Sequence, residues 1–585
     1  MAGTKISNLP AATTPLAGTE LVPVVQGGVT VKATAANINA AATYTSTGTG
    51  AVSRLVSSKL GDSVSVKDFG AVGDGVTDDT AAFVAAAAYA ATVNRLILLT
   101  GETYIVTTLT LNIDAHFVGT GTIRKKPGTT GHLISSSANL KIDGNITLDQ
   151  NAANCPNPSA SFNTDCAINH TGSELVLIGV KSMPSVSSNI NSNSTSLLQL
   201  DNCNVSGGWL CVRGVVNANC RVRICNGVYS GSTVYDNIAV ENTQNYVIDG
   251  VTSHTSSRSC IVASNGAANG SIVNNICYGA TVTGGQGGWG IVLSVNVKKT
   301  TVANNHCYNN ETGGIDADVS FGGPDSIDSH NIIIGNTVEN NDPNLNTRTG
   351  IYTNKSGKTV IANNTIKNFR QGILLNYSNG VTVTGNNIQN VGAGYFAQAS
   401  SCVGVDFAGN TCVGIDATGT GTAALQFNNC SAYTAKSNSF DFGNVGTRTF
   451  IRNIGTCSNY EISSNTVTKS GIGSGYIFQL STTDSNGRWS RNKISSTVAG
   501  WQWYMVGTGS TVTNVVTEQN EVIVSGIDFT RYALNAASVV GDGDTINGIR
   551  DKFSAAPTGW TFRNGYIAIN NNIAQFWNGA AWVNI

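Results

Sequence analysis

The sequence is short of charge. Only 11% of its 585 residues are Asp, Glu, Lys or Arg, less than half the roughly 25% usual for globular chains. The two signs nearly cancel, with 33 basic against 34 acidic residues. Binding by phosphate neutralisation needs a clustered basic face, so nucleic acid is excluded as a partner. Proline and methionine are scarce, at 10 and 3 residues. No apolar run approaches the ~18 residues of a membrane-spanning helix, so no membrane partner is expected. Met1-Ala2-Gly3-Thr4-Lys5 leads into Pro and Thr without the apolar centre of a signal peptide. Helical periodicity is almost absent after residue 95. Paired Cys-x-x-Cys sets are missing, so no metal site is expected, and no cofactor. Disorder is excluded too, because 41% hydrophobic residues with so little charge is its opposite signature. The 13 cysteines, spread from Cys155 to Cys457, read as reduced, buried, small apolar fillers.

What the chain has is a repeat. Asn275, Asn305, Asn336, Asn364, Asn386, Asn410, Asn438, Asn465, Asn492 and Asn520 recur at intervals of 22 to 31 residues. Two residues after each stands an apolar side chain: Cys277, Cys307, Val338, Ile366, Ile388, Cys412, Phe440, Val467, Ile494 and Val522. Between them lie short Val-, Ile- and Thr-rich segments bounded by Gly, Asn and Ser, which predict strands. A repeat of this length without helices predicts coils of short strands. One coil is too thin to bury a core, so neighbours stack ~4.8 Å apart. The expected fold is an all-β parallel β-helix, with Asn at one corner of each coil adopting left-handed geometry and hydrogen-bonding up the stack. Its open ends need caps against edge pairing.

Two N-terminal stretches carry resemblances. Asp68-Phe69-Gly70-Ala71-Val72-Gly73-Asp74-Gly75-Val76-Thr77-Asp78-Asp79-Thr80 resembles the opening of pectate-lyase-like β-helix proteins. That resemblance implies a right-handed β-helix acting on polysaccharide. Its acidic residues read as turn and cap residues, with Asp78 or Asp79 capping an alanine-rich helix whose Ala81, Ala82, Phe83 and Ala86 cover the first coil. Residues 4–40, with Ile6-Ser7-Asn8-Leu9-Pro10 and Glu20-Leu21-Val22-Pro23-Val24-Val25, resemble the virion-attachment segment of bacteriophage tailspikes. Together the resemblances imply a tailspike or tail-fibre depolymerase in the phage tail, made in the host cytoplasm. They also imply a homotrimer, attached to the tail or baseplate through the N-terminal segment and bound to O-antigen or capsule. The expected domains are 1–60 (attachment segment and linker), 61–530 (β-helix with a glycan groove) and 531–585 (C-terminal β cap or trimerisation element). In the last, Trp577-Asn578-Gly579-Ala580-Ala581-Trp582 reads as a hairpin.

One strand aligns across coils through Ile238, Ile261, Ile291, Ile315, Ile351, Ile373, Val405, Leu425, Ile451 and Ile477. The residue after each, and the one two further on, then face outward. In this column Asp316 and Asp318 share one face, about 6.5–7 Å apart at their β-carbons. Glycoside hydrolysis needs two carboxyls, one to protonate the leaving oxygen and one to attack or to activate water, and this spacing favours inversion. Asp316 and Asp318, with Glu311 at the strand entrance, are therefore the candidate catalytic residues of an endo-glycosidase. The candidate substrate-binding residues are Trp289, Tyr352, Asn354, Asn376, Arg370 and His330, and Glu339 joins His330 on the same coil. The alternatives are a lyase, with Tyr352 or His330 as base and Arg348, Lys355, Arg370 or Arg452 as the neutralising cation, and a glycan-binding receptor protein that does not cut.

Overall fold

Strands of three to six residues, each apolar on one face only, gain stability by stacking against copies of themselves rather than by folding locally. The structure, a computed structural model, takes that course. It describes residues 19–524 except 41, 158–160, 216–217, 320–326, 342–347, 393, 416–422, 444–447, 470–474, 497–500 and 507–510, and short strands between 539 and 584. The first part of the attachment-like segment, residues 4–18, lies outside the described residues.

Each coil contributes one strand to each of three faces. In one coil these are Ile238–Glu241, Asn245–Asp249 and Thr252–His254. The next coil repeats the order as Ser259–Ser264, Gly270–Val273 and Ile276–Tyr278. Pairing between coils is parallel and in register: Ile238 with Ile261, Ile248 with Ile272, Ser253 with Cys277. The inward column Val212, Ile238, Ile261, Ile291, Ile315, Ile351 and Ile373 is fully buried. All 13 cysteines are free and buried.

The asparagine column forms at the corner between the second and third faces. The backbone N–H and the Nδ2 of Asn275 both donate to Oδ1 of Asn305, at 3.0 and 2.9 Å. The same pair of bonds repeats up the stack, from Asn305 to Asn336 and on to Asn492 with Asn520. Each Nδ2 also donates to a carbonyl of the preceding coil, as Asn305 does to Ile272 at 2.9 Å. The left-handed residue of this corner is the one before each ladder asparagine: Asn274, Asn304, Gly335, Asn363, Gly385 and Gly409 all have positive φ. The strain and the hydrogen bond thus fall on adjacent residues, not on one asparagine as the sequence suggests.

The helix Thr80–Val93 covers the first coil, burying Ala82, Phe83, Ala86, Ala87 and Ala90 and leaving Ala81 exposed. Phe83 sits against Tyr104 and Phe117, with ring centroids 5.2 and 5.9 Å away. Asp78 Oδ1 accepts from the Thr80 backbone N–H, whereas Asp79 makes no cap bond and accepts from Val72 and Gly73 instead. Asp74 closes a turn by accepting from Val76 and Thr77. At the other end, parallel pairing continues past residue 530, through Val539–Asp542 and Trp560–Phe562. Beyond it Trp577 pairs with Trp582 across an antiparallel hairpin. Residues 21–34 form a separate antiparallel hairpin.

Two members of the aligned column sit elsewhere. Ile373 pairs with Ala397, not with Val405. Asp406 lies on the second face, between Thr382 and Thr434, so its carboxyl is not in the outward column. The strand Ala397–Ser400 carries only small inward residues, and the larger Val405 and Phe407 of the next strand mimic it in sequence. Ile451 pairs with Phe478, not Ile477. Phe478 therefore faces the core, 3.8 Å from the Trp489 ring, and Gln479 takes the outward place.

Candidate functional site

The first face carries a groove of about 610 Å³ that runs along the stack. Outward residues of successive rungs build its floor: Ala239, Val262, Val292 and Asp316 in one column, and Glu241, Ser264, Ser294 and Asp318 in the next. Their alternation with inward residues comes from the two-residue period of the strand. One lip is the hairpin of Val282–Thr283 and Gln286–Gly287. Thr312 ties it down by donating its hydroxyl to the Gly287 carbonyl at 2.7 Å.

Asp316 and Asp318 both line this groove. Their environments differ. Asp316 Oδ1 is cut off from solvent and has no hydrogen-bond partner among the described residues. Burial pushes the Asp316 carboxyl well above the usual carboxylate range, and the Asp318 charge pushes it the same way. Asp318 Oδ1 accepts from Asn354 Nδ2 at 3.2 Å. The pair thus combines a buried carboxyl, pushed towards its protonated form, with a neighbour that is hydrogen-bonded as an acceptor.

Trp289 lines the groove one rung from Asp316 along the stack, on the strand that pairs with the aspartate strand. Its ring lies across Gly313: a β-carbon there would meet the indole at 2.3 Å and the Thr349 carbonyl at 2.1 Å. The absent side chain lets Trp289 reach Tyr352, whose ring is 6.2 Å away and nearly parallel. Tyr352 pairs with Asp316 across the next rung interval, and Asn354 with Asp318. Asn376 follows one rung further and donates to the Tyr352 hydroxyl at 3.2 Å. Burial, with the two aspartates nearby, pushes the Tyr352 phenol up to about 12.

The other candidates are not brought to the groove. Glu311 is exposed, and its Oε2 accepts from the Val282 backbone N–H at 2.7 Å, anchoring the lip from outside. Arg370 is exposed at the turn before the strand Gln371–Asn376. His330 is exposed at the corner before the second face, with φ of 50°. Glu339 lies on the third face, 2.9 Å from His306 Nε2. Arg348 donates to Asn340 Oδ1 at 2.7 Å. His330 and Glu339 lie past a corner of the coil from the aspartate strand, so sharing a coil does not mean sharing a face.

Sequence reasoning missed the far end of the groove. Phe162, Arg213, Tyr235, Asp236 and Arg258 line it there. Glu241, which is three rungs from Asp316 and so about 14 Å away along the axis, belongs to this end and not to the aspartate pair. Phe162 arrives from the excursion between Asp149 and Ile168, which has no repeat signature.

Residues 322–440 match the family model of the right handed beta helix region. This chain is a right-handed parallel β-helix. No curated protein matches it in sequence. Among solved structures it is similar to the Dettilon tailspike protein, at 16% identity over 74% of this chain and 67% of that one, with a TM-score of 0.33. It is also similar to a mutant tailspike of the E. coli bacteriophage HK620 in complex with pentasaccharide, at 14% identity over 90% and 84%, with a TM-score of 0.37. The A-module of an Azotobacter vinelandii mannuronan C-5 epimerase has 16% identity over 78% and 99%, with a TM-score of 0.26.

Proposed function

We propose that this protein binds and depolymerises a bacterial surface polysaccharide, O-antigen or capsule, by endo-glycosidic hydrolysis. The observation that carries the reading is the pair Asp316 and Asp318 in the groove, with Asp316 Oδ1 buried and unpartnered. A general acid must hold its proton at neutral pH, and burial beside a second carboxyl favours that. Asp316 protonates the departing glycosidic oxygen. Asp318, held by Asn354, activates a water on the opposite side of the anomeric carbon. The ~6.5–7 Å between β-carbons on one strand face leaves room for that water, so the reaction inverts configuration. Trp289 and Tyr352 form one wall beside the scissile bond.

A lyase reading is less well supported. It needs a base and a cation at the uronate, whereas the Tyr352 phenol is held protonated and Arg348 is engaged by Asn340. The attachment-like sequence of residues 4–40 supports a place in a phage tail, with homotrimeric assembly and tail docking as parts of the same proposal.

The test is substitution. Asp316→Asn and Asp318→Asn should each lower the rate of polysaccharide shortening by at least about 100-fold, the lower end of what general acid–base groups contribute. Both should still bind the polysaccharide. Full activity in both variants would sink the assignment.

A further inference from the structure

The far end of the groove holds a closed set of charges. Arg213 Nε lies 3.3 Å from Glu241 Oε1, and Arg258 Nη2 lies 3.4 Å from Asp236 Oδ2. Each guanidinium also covers an aromatic face: Arg213 lies 5.0 Å from the Phe162 centroid and Arg258 5.2 Å from that of Tyr235. The two rings contact each other at 4.4 Å. The order is therefore Glu241, Arg213, Phe162, Tyr235, Arg258, Asp236, with a carboxylate at each end and no net charge. Side-chain exposure is 24% and 18% for the first ion pair, and 30% and 5% for the second. The carboxylates are fixed from behind, Asp236 by the Ser259 backbone N–H at 3.0 Å and Glu241 by Asn265 Nδ2 at 3.1 Å. Burial pushes Asp236 up to about 6, and the Arg258 charge opposite it pulls the other way, towards the ionised form.

This wall offers guanidinium N–H donors beside carboxylate acceptors, which suits hydroxyl and amide groups. It does not suit an added anion. Among the described residues that line the groove, Arg213 and Arg258 are the cations, and both are paired. Asp316, Asp318, Asp236 and Glu241 line the same groove. A uronate there would meet carboxylates with no unpaired cation among those lining residues, at the raised interaction strength of a partly dry site. Residues 320–326 and 342–347, which flank the aspartate and tyrosine strands in sequence, contain no Lys or Arg.

We propose that this charge-balanced wall is a specificity subsite for uncharged sugar residues, three rungs from the aspartate pair, so that the protein takes a neutral or N-acylated glycan and rejects uronate-bearing ones. The inference rests on reading the groove as a glycan site.

The experiment is calorimetric titration of the full chain carrying Asp318→Asn, chosen to slow cutting during the titration, with size-matched bacterial surface polysaccharides of known composition, half uncharged and half uronate-bearing. The expected result is binding confined to uncharged members. A Tyr235→Ala exchange in that background should weaken binding at least 10-fold, and Tyr235→Phe should leave it unchanged. Glu241→Gln frees the Arg213 guanidinium and should bring measurable, salt-sensitive binding of polygalacturonate oligosaccharides, a gain that misfolding cannot produce. Tighter binding of uronate-bearing than of uncharged members overturns the proposal. Uncharged binding that is indifferent to Tyr235→Ala, or no gain with Glu241→Gln, overturns the subsite and leaves the glycan reading standing. Binding to no polysaccharide overturns both.

Discussion

Individual side chains show the local chemistry most clearly where a polar group is buried. Asp316 is one case: the alkaline limb of the cleavage rate should follow its ionisation and lie well above the usual carboxylate range, as a pH–rate profile would record. Asp484 is another, far from the groove. Its Oδ1 accepts from Asn453 at 2.8 Å, and burial pushes the carboxyl up to about 7. In the unfolded chain the same group ionises near 3.8. Between those values the folded state binds more protons, so stability declines as pH rises from about 4 to about 7 and then levels off. The loss is on the order of 4 kcal/mol at ~1.4 kcal/mol per pH unit. Asp484→Asn should flatten that slope in melting temperatures measured against pH. Asp316 and Asp318 were visible in the sequence because charges are rare in these strands. Asp236, Arg213 and Phe162 were not, because they meet through a loop with no repeat.

At the scale of elements, the fold depends on corners and close approaches. The asparagine ladder was legible as a spacing, because each rung must present the same acceptor to the rung below. Asn386→Ala should remove the acceptor of both Asn364 donors, whose distances are 3.0 and 2.9 Å. Leaving them buried and unmet costs about 2–3 kcal/mol, to be read as a shift in denaturation midpoint. Gly313 sets the groove wall in a comparable way. Gly313→Ala should displace the Trp289 ring, since the new methyl falls 2.3 Å from it. Cleavage should drop at least 10-fold, with a near-ultraviolet signal from Trp289 changing in step. What escaped sequence reading at this scale was register. Val405 and Ile477 carry the right residue type for the aligned strand, but Ala397 and Phe478 occupy its places, because a core filled by Phe396 and Phe440 accepts a small residue at one rung and a large one at another.

Over the whole molecule, low charge, rare helix and repeated asparagines have one origin. A narrow stack of coils replaces charged surface with ladders of Asn, Ser and Thr, and needs a helix only to close its first coil. The same stacking makes a long groove from residues that are each unremarkable in sequence, placing Glu241 and Asp318 on one floor three rungs apart. On the proposed reading this groove hydrolyses a glycan, with Asp316 as acid and Asp318 as its partner. The most direct measurement is incubation of the purified protein with a panel of bacterial surface polysaccharides, following product size and absorbance at the unsaturated-uronate band. Shortened, saturated oligosaccharides are expected from the unsubstituted protein, and are formed at least about 100-fold more slowly by Asp318→Asn. Absorbing, unsaturated products, or binding without shortening on every glycan that binds, would contradict that reading.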